Sequence, residues 1–193
     1  MTFIIPKKQP ALRSHKKKNL YRLLVARSDI GAATAASKLF INTVSDLSDK
    51  LYYPLFTSIV ICYARPFTNN EPYGALPEKW SKFENQLWQR RHDSILKARH
   101  ELVAHSDMSV RKAKIVPQNV VIGNNNVKEL KSARIGIETS YYLFTIPMIK
   151  ETLDVAINLG RRMNDEIEVV LDDLYGGMEL PNAKFSLRID EGL

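Results

Sequence analysis

One cysteine, Cys62, is all the thiol this 193-residue chain has. That excludes an internal disulfide and a thiolate-rich zinc cluster. Its place in the apolar run Ile59-Val60-Ile61-Cys62-Tyr63-Ala64 marks it as a small buried hydrophobe. Such usage fits a reducing, cytoplasmic setting. Long apolar runs are missing too: none approaches the ~20 residues of a membrane span. The N-terminal stretch MTFIIPKKQPALRSHKKK has too little apolar length for a signal peptide. No P-loop glycine pattern, no G-x-S-x-G elbow, no internal repeat and no Cys/His cluster appears. The expectation is a soluble protein with no cofactor, no metal and no membrane partner, long enough to bury one core.

Acidic residues are absent from one region. Residues 1–27 hold eight Lys/Arg and no Asp or Glu, against a net charge of +7 for the whole chain. Residues 79–114 carry nine basic and four acidic residues, whereas residues 150–193 carry five basic and ten acidic. A polyanion such as RNA would be drawn to the first two regions through counterion release, with Lys16, Lys17 and Lys18 as contacts. The plainer reading of those lysines is a solubilising tail. The acidic face of Glu166, Glu168, Asp172 and Asp173 reads as solvated, or as a surface for the basic tail of a second copy.

The element pattern predicts an all-α protein, a four-helix up-and-down bundle with a small β-hairpin insertion. Residues 1–17 read as a basic mobile arm, 18–180 as one helical domain with the hairpin within 112–144, and 181–193 as a tail. Ala32, Ala35, Ala36, Leu39, Phe40, Thr43, Val44 and Leu47 recur at helical spacing and predict a first helix over about 29–47. Pro54 in a first turn and Pro66 as a stop delimit a second over about 53–64. A third runs over about 78–105, its stripe set by Trp80, Phe83, Leu87, Trp88, Ile95, Leu102 and Val103. Val, Ile, Thr and Tyr enrichment over 114–122 and 133–144, around Gly123-Asn124-Asn125-Asn126, gives the hairpin. A fourth helix spans about 146–175, opened by Pro147 and stopped by Gly176-Gly177.

The most informative stretch is Arg99-His100-Glu101-Leu102-Val103-Ala104-His105, at the end of the third helix. Arg is always charged and presents a planar fork that fits phosphate oxygens. His gives or takes a proton near neutrality. The order of pieces, IVICYARPFTNN, then Gly74 in a Pro-containing loop, Trp80, a helix bearing His92 and the ending RHELVAHSD, resembles the HEPN superfamily of all-helical domains. That family is marked by an Arg and a His a few residues apart; here five residues separate Arg99 from His105.

The resemblance implies a dimer whose two motifs face one cleft, and, after its ribonucleolytic members, metal-independent RNA cleavage in a toxin–antitoxin or antiviral defence setting. His105 would be the general base or acid and Arg99 the phosphate ligand. His100 departs from the family's usual Asn or Asp and would orient phosphate or act as a second acid. On an ideal helix Arg99 and His105 point about 120° apart, so either the helix loosens, Arg99 reaches around, or a second copy completes the site. His92 and Arg65 are further substrate-side candidates. The first also reads as a structural or interface residue, and the second as a helix cap. His105 itself could be a C-terminal cap, and Trp80 and Trp88 read as core. The rival function is a non-catalytic helical dimer binding RNA, a nucleotide or a protein partner such as an antitoxin.

Overall fold

The computed structural model describes residues 10–69, 74–101, 112–116, 136–140 and 144–177, the two short central segments by their backbone. Four helices carry the fold: α1 over Pro10–Thr43, α2 over Tyr52–Ala64, α3 over Gln86–Arg99 and α4 over Ile146–Tyr175. Two strands, β1 over Lys112–Val116 and β2 over Gly136–Ser140, pair antiparallel with Lys112 opposite Ser140 and Val116 opposite Gly136. They fall where the hairpin is expected, and the connection between them lies outside the described residues. Among the described residues, no helix is long and apolar enough to cross a membrane.

Cross-helix pairs fix the directions. Lys16 meets Asp173, and Arg27 meets Asn164, so α1 and α4 are antiparallel. Arg65 pairs with Asp29 while Tyr52 packs on Phe40, so α2 also runs against α1. Lys79 meets Glu166, and Arg91 meets Glu151, which turns α3 against α4. The result is the up-and-down bundle the helix pattern implies.

α2 and α4 match their expected spans to within a residue. α1 does not: it begins at Pro10, so residues 10–17 are helical and not arm. Its buried face is Leu20, Leu23, Ala26, Ile30, Ala33, Ser37 and Phe40, and Val44 just beyond its end is buried too. Ala32, Ala35, Leu39, Thr43 and Leu47 of the expected stripe are exposed. Small residues fit either face of a helix. Ile30 and Phe40 need burial and set the rotation.

The expected single helix over 78–105 is broken. Glu78–Ser81 forms a short 3₁₀ turn, Lys82 is extended, and α3 starts afresh behind Asn85. The Asn85 side chain accepts from the backbone N–H groups of Leu87 and Trp88 at 2.9 and 3.2 Å, satisfying two donors of the first turn. Asn85→Ala is therefore expected to lower stability by about 1 kcal/mol, read from the urea midpoint at unchanged slope. Trp80 is buried under Arg162, whose guanidinium lies 5.4 Å from its ring centroid.

The core's aromatic chain runs Phe40, Tyr52, Phe56 and Phe144, with successive centroids 5.0, 5.9 and 5.2 Å apart. The buried Tyr52 hydroxyl donates to the Phe144 carbonyl, tying the entry of α4 to the start of α2. Cys62 is free and half-buried at the edge of this core. α4 ends at Gly176, where a Cβ would lie 2.4 Å from the Asp172 carbonyl oxygen, so only glycine closes this cap.

Candidate functional site

Arg99 is the last residue of α3 and is half-buried; the next two residues, His100 and Glu101, continue in a wider π-type turn. Such widenings recur at functional sites. The exposed His100 sends its backbone N–H to the carbonyls of Leu96 and Lys97. Glu101 is drawn to Lys97, 3.7 Å away, leaving Arg99 with no carboxylate partner among the described residues. His105 lies outside the described residues.

The remaining candidates do not gather around Arg99. His92 is no substrate contact: it is 1% exposed and held in an aromatic cage. Its ring centroid lies 4.7 Å from Phe67, 5.3 Å from Phe83 and 5.8 Å from Tyr63. The Tyr63 hydroxyl is 3.0 Å from His92 Nδ1. Burial holds the Tyr63 hydroxyl protonated by raising its pKa, so it donates and Nδ1 accepts. The same burial lowers the His92 pKa to about 4, so the imidazole is neutral with its proton on Nε2, which has no hydrogen-bond partner among the described residues. His92 shares a stripe with Arg99, as its spacing implies, but that stripe faces the core.

Arg65 ends α2, its Nη1 3.0 Å from Asp29 of α1. It is level with His92 through the neighbouring Tyr63, and Arg99 is seven residues, about 10 Å, further along α3. Arg65 therefore braces α1 against α2 and is not in reach of the Arg99 terminus. Lys16 is paired with Asp173 at the far end of α4, Lys17 is half-buried and Lys18 exposed. Arg91 pairs with Glu151, so Arg99, two turns on, is level with the start of α4. Some 28 residues of α4, about 40 Å, separate these two ends. Lys16, Lys17 and Lys18 thus cannot share a phosphate with the Arg99 of their own chain. The acidic face of α4 is met within the chain, by Lys16 at Asp173 and Lys79 at Glu166.

No three His, Cys, Asp or Glu side chains converge as metal ligands would, among the described residues. No family model matches the chain, and neither a curated protein nor a solved structure shows significant similarity to it.

The motif reading also passes over the cations that face the groove between α1 and α4: Arg27, Lys38 and Arg161. They are far apart in sequence and form no motif. Their only signal is Gly31 and Gly160, small residues placed where two helices come close.

Proposed function

We propose that the chain is a metal-independent endoribonuclease of the HEPN type, acting as a homodimer with Arg99 and His105 at a shared cleft. The observation that carries it is Arg99: a half-exposed cation without a carboxylate partner among the described residues, at a widened helix terminus, with an imidazole six residues on in the sequence. A guanidinium at the end of a bundle, with no acid paired to it among the described residues, suits a phosphate oxygen better than it suits packing. The all-helical up-and-down frame supports the same reading.

In the reaction, the ribose 2′-OH gives its proton to one imidazole and attacks the adjacent phosphorus. The bond from phosphorus to the 5′ oxygen breaks, and that oxygen takes a proton from the acid. The products are a 2′,3′-cyclic phosphate and a 5′-OH. His105 serves as base or acid, and Arg99 stabilises the charge growing on the phosphoryl oxygens. The second protomer supplies the complementary group, as the resemblance to dimeric HEPN domains implies. His100, exposed next to Arg99 in the chain, would orient the same phosphate. A toxin or defence role accords with such an activity.

The test is cleavage of single-stranded RNA in EDTA, with product ends analysed for cyclic phosphate. The wild type is expected to cut. His105→Ala should abolish cutting with the helical spectrum and RNA binding intact, and Arg99→Ala should weaken both cutting and phosphate binding. Toxicity on overexpression, run with the same variants, detects an enzyme held latent in vitro. A wild type that neither cuts nor harms cells, or a His105→Ala variant of full activity, leaves the non-catalytic binding module as the reading.

A further inference from the structure

Two surface grooves are lined by cations, and their electrostatics differ. In the groove of Lys79, Trp80 and Arg162, the carboxylates Asp165 and Glu166 also line the wall, and Lys79 is bonded to Glu166 at 2.8 Å. That groove is neutralised by the protein itself. The groove between α1 and α4, about 480 Å³, is lined by Arg27, Lys38 and Arg161 and, among the described residues, by no acid. Its size falls in the range of small-molecule sites.

Arg27 is positioned, not merely present. Its Nε donates to Asn164 Oδ1 at 2.7 Å. Its guanidinium lies over the two glycines, Nη1 being 3.2 Å from where a Gly31 Cβ would stand and Cζ 3.8 Å from a Gly160 Cβ. The glycines make the space in which the guanidinium lies, and the bond to Asn164 holds its Nε. Nη1 and Nη2 then have no protein partner among the described residues. Two terminal N–H groups side by side are the donor pair that phosphate oxygens accept. Arg161 is on the opposite wall, one residue from Gly160, and Lys38 is eleven residues along α1 from Arg27, about 16 Å away. Ile30 and Ile157 give the groove apolar surface between the charges.

We propose that this groove is a phosphate-binding site for a nucleotide or oligonucleotide. Arg27 is the oriented anchor, Arg161 the second charge on the same phosphate group, and Lys38 the contact for a further phosphate along the groove. A second copy of the chain is a poor occupant, since symmetric pairing of this face would bring three unneutralised cations against three more. The site stands whether or not Arg99 and His105 cut RNA.

The test titrates the full chain with inorganic pyrophosphate by calorimetry and with a short labelled oligouridylate by anisotropy. Helical content is checked for every variant. The double variant Arg27→Ala/Arg161→Ala should bind pyrophosphate about tenfold more weakly or worse, while Arg90→Ala, which removes an exposed cation of α3 outside the groove, leaves pyrophosphate binding unchanged. Asn164→Ala, which frees Arg27 to rotate without removing a charge, should give a smaller loss, and Arg27→Lys should not restore full affinity. Binding of pyrophosphate with competition between the two probes would assign the groove to small phosphorylated ligands as well. Binding of the oligonucleotide alone, lost in the double variant, would assign it to the polymer backbone. A wild type that binds neither probe overturns the proposal, as does a double variant that binds both unchanged. A dimer that the double variant dissolves, with no probe bound, gives the groove to a second copy and overturns it too.

Discussion

Acidification from pH 6.5 to 4 is expected to cost the fold about 3 kcal/mol through His92 alone. The folded pKa is lowered, from 6.5 to about 4, because burial disfavours the imidazolium; the neighbouring Asp93 opposes the shift and loses to it. Above pH 6.5 both states are neutral and the group has no effect. Between the two values the unfolded chain binds a proton that the folded chain refuses, so stability falls with pH; below about 4 both bind it and the loss levels off. Protonation would also add a proton to Nδ1, the atom that accepts from Tyr63, and so set two donors against each other. Asp46 and Glu78, whose carboxyl pKa values are lowered by hydrogen bonds to Ser48 and Lys82, add their own acid sensitivity, so the diagnostic is a difference. Urea unfolding at several pH values in this window should give a steep slope for the wild type and a clearly shallower one for His92→Gln, whatever the variant's absolute stability. Equal slopes would mean that His92 is solvated in the folded protein.

Removing the carboxylate of Glu151 should be comparably damaging. Arg91 is only 11% exposed in its side chain, and its Nε and Nη2 both donate to Glu151 Oε2, at 2.9 and 2.5 Å. Its guanidinium also lies 5.3 Å from the Phe144 ring centroid. Glu151→Ala leaves a nearly buried cation without its partner, at a cost of about 3 kcal/mol. The double variant Arg91→Met/Glu151→Leu should recover most of the loss, because the pair's mutual attraction is largely offset by its desolvation. Thermal unfolding of the wild type, Glu151→Ala and the double variant measures both the loss and the recovery. A Glu151→Ala variant as stable as the wild type would show that water reaches Arg91.

Punctuation explains which elements the sequence reveals. Pro66 stops α2, while Pro147 and Gly176 bracket α4, and both helices are where these residues put them. The break before α3 is hidden because Trp80, Phe83 and Leu87 keep helical spacing across it. Asn85, a strong N-cap type three residues ahead of Trp88, is the signal that periodicity overrides. α1 is masked by charge: Lys16, Lys17 and Lys18 read as a solvated tail, although Leu20 and Leu23 just beyond them are fully buried. The local part of the candidate site, Arg99 at a helix terminus, is legible because it depends on a few consecutive residues. That Lys16 and Arg99 occupy opposite ends depends on which helices pair and in which direction, and no short pattern encodes that. Arg27, Asn164 and Arg161 meet only through the same pairing.

The crossing of Arg91 with Glu151 places the exit of the chain at Glu101 and its return at Phe144 at one pole of the bundle. The strands β1 and β2 belong to the excursion between those two points. Because its anchors share a pole, lengthening or shortening that excursion changes the closure entropy only logarithmically and leaves the four helices in register. Arg99 thus stands on the rim of the four-helix bundle, at the pole where the chain leaves α3 and to which it returns before α4.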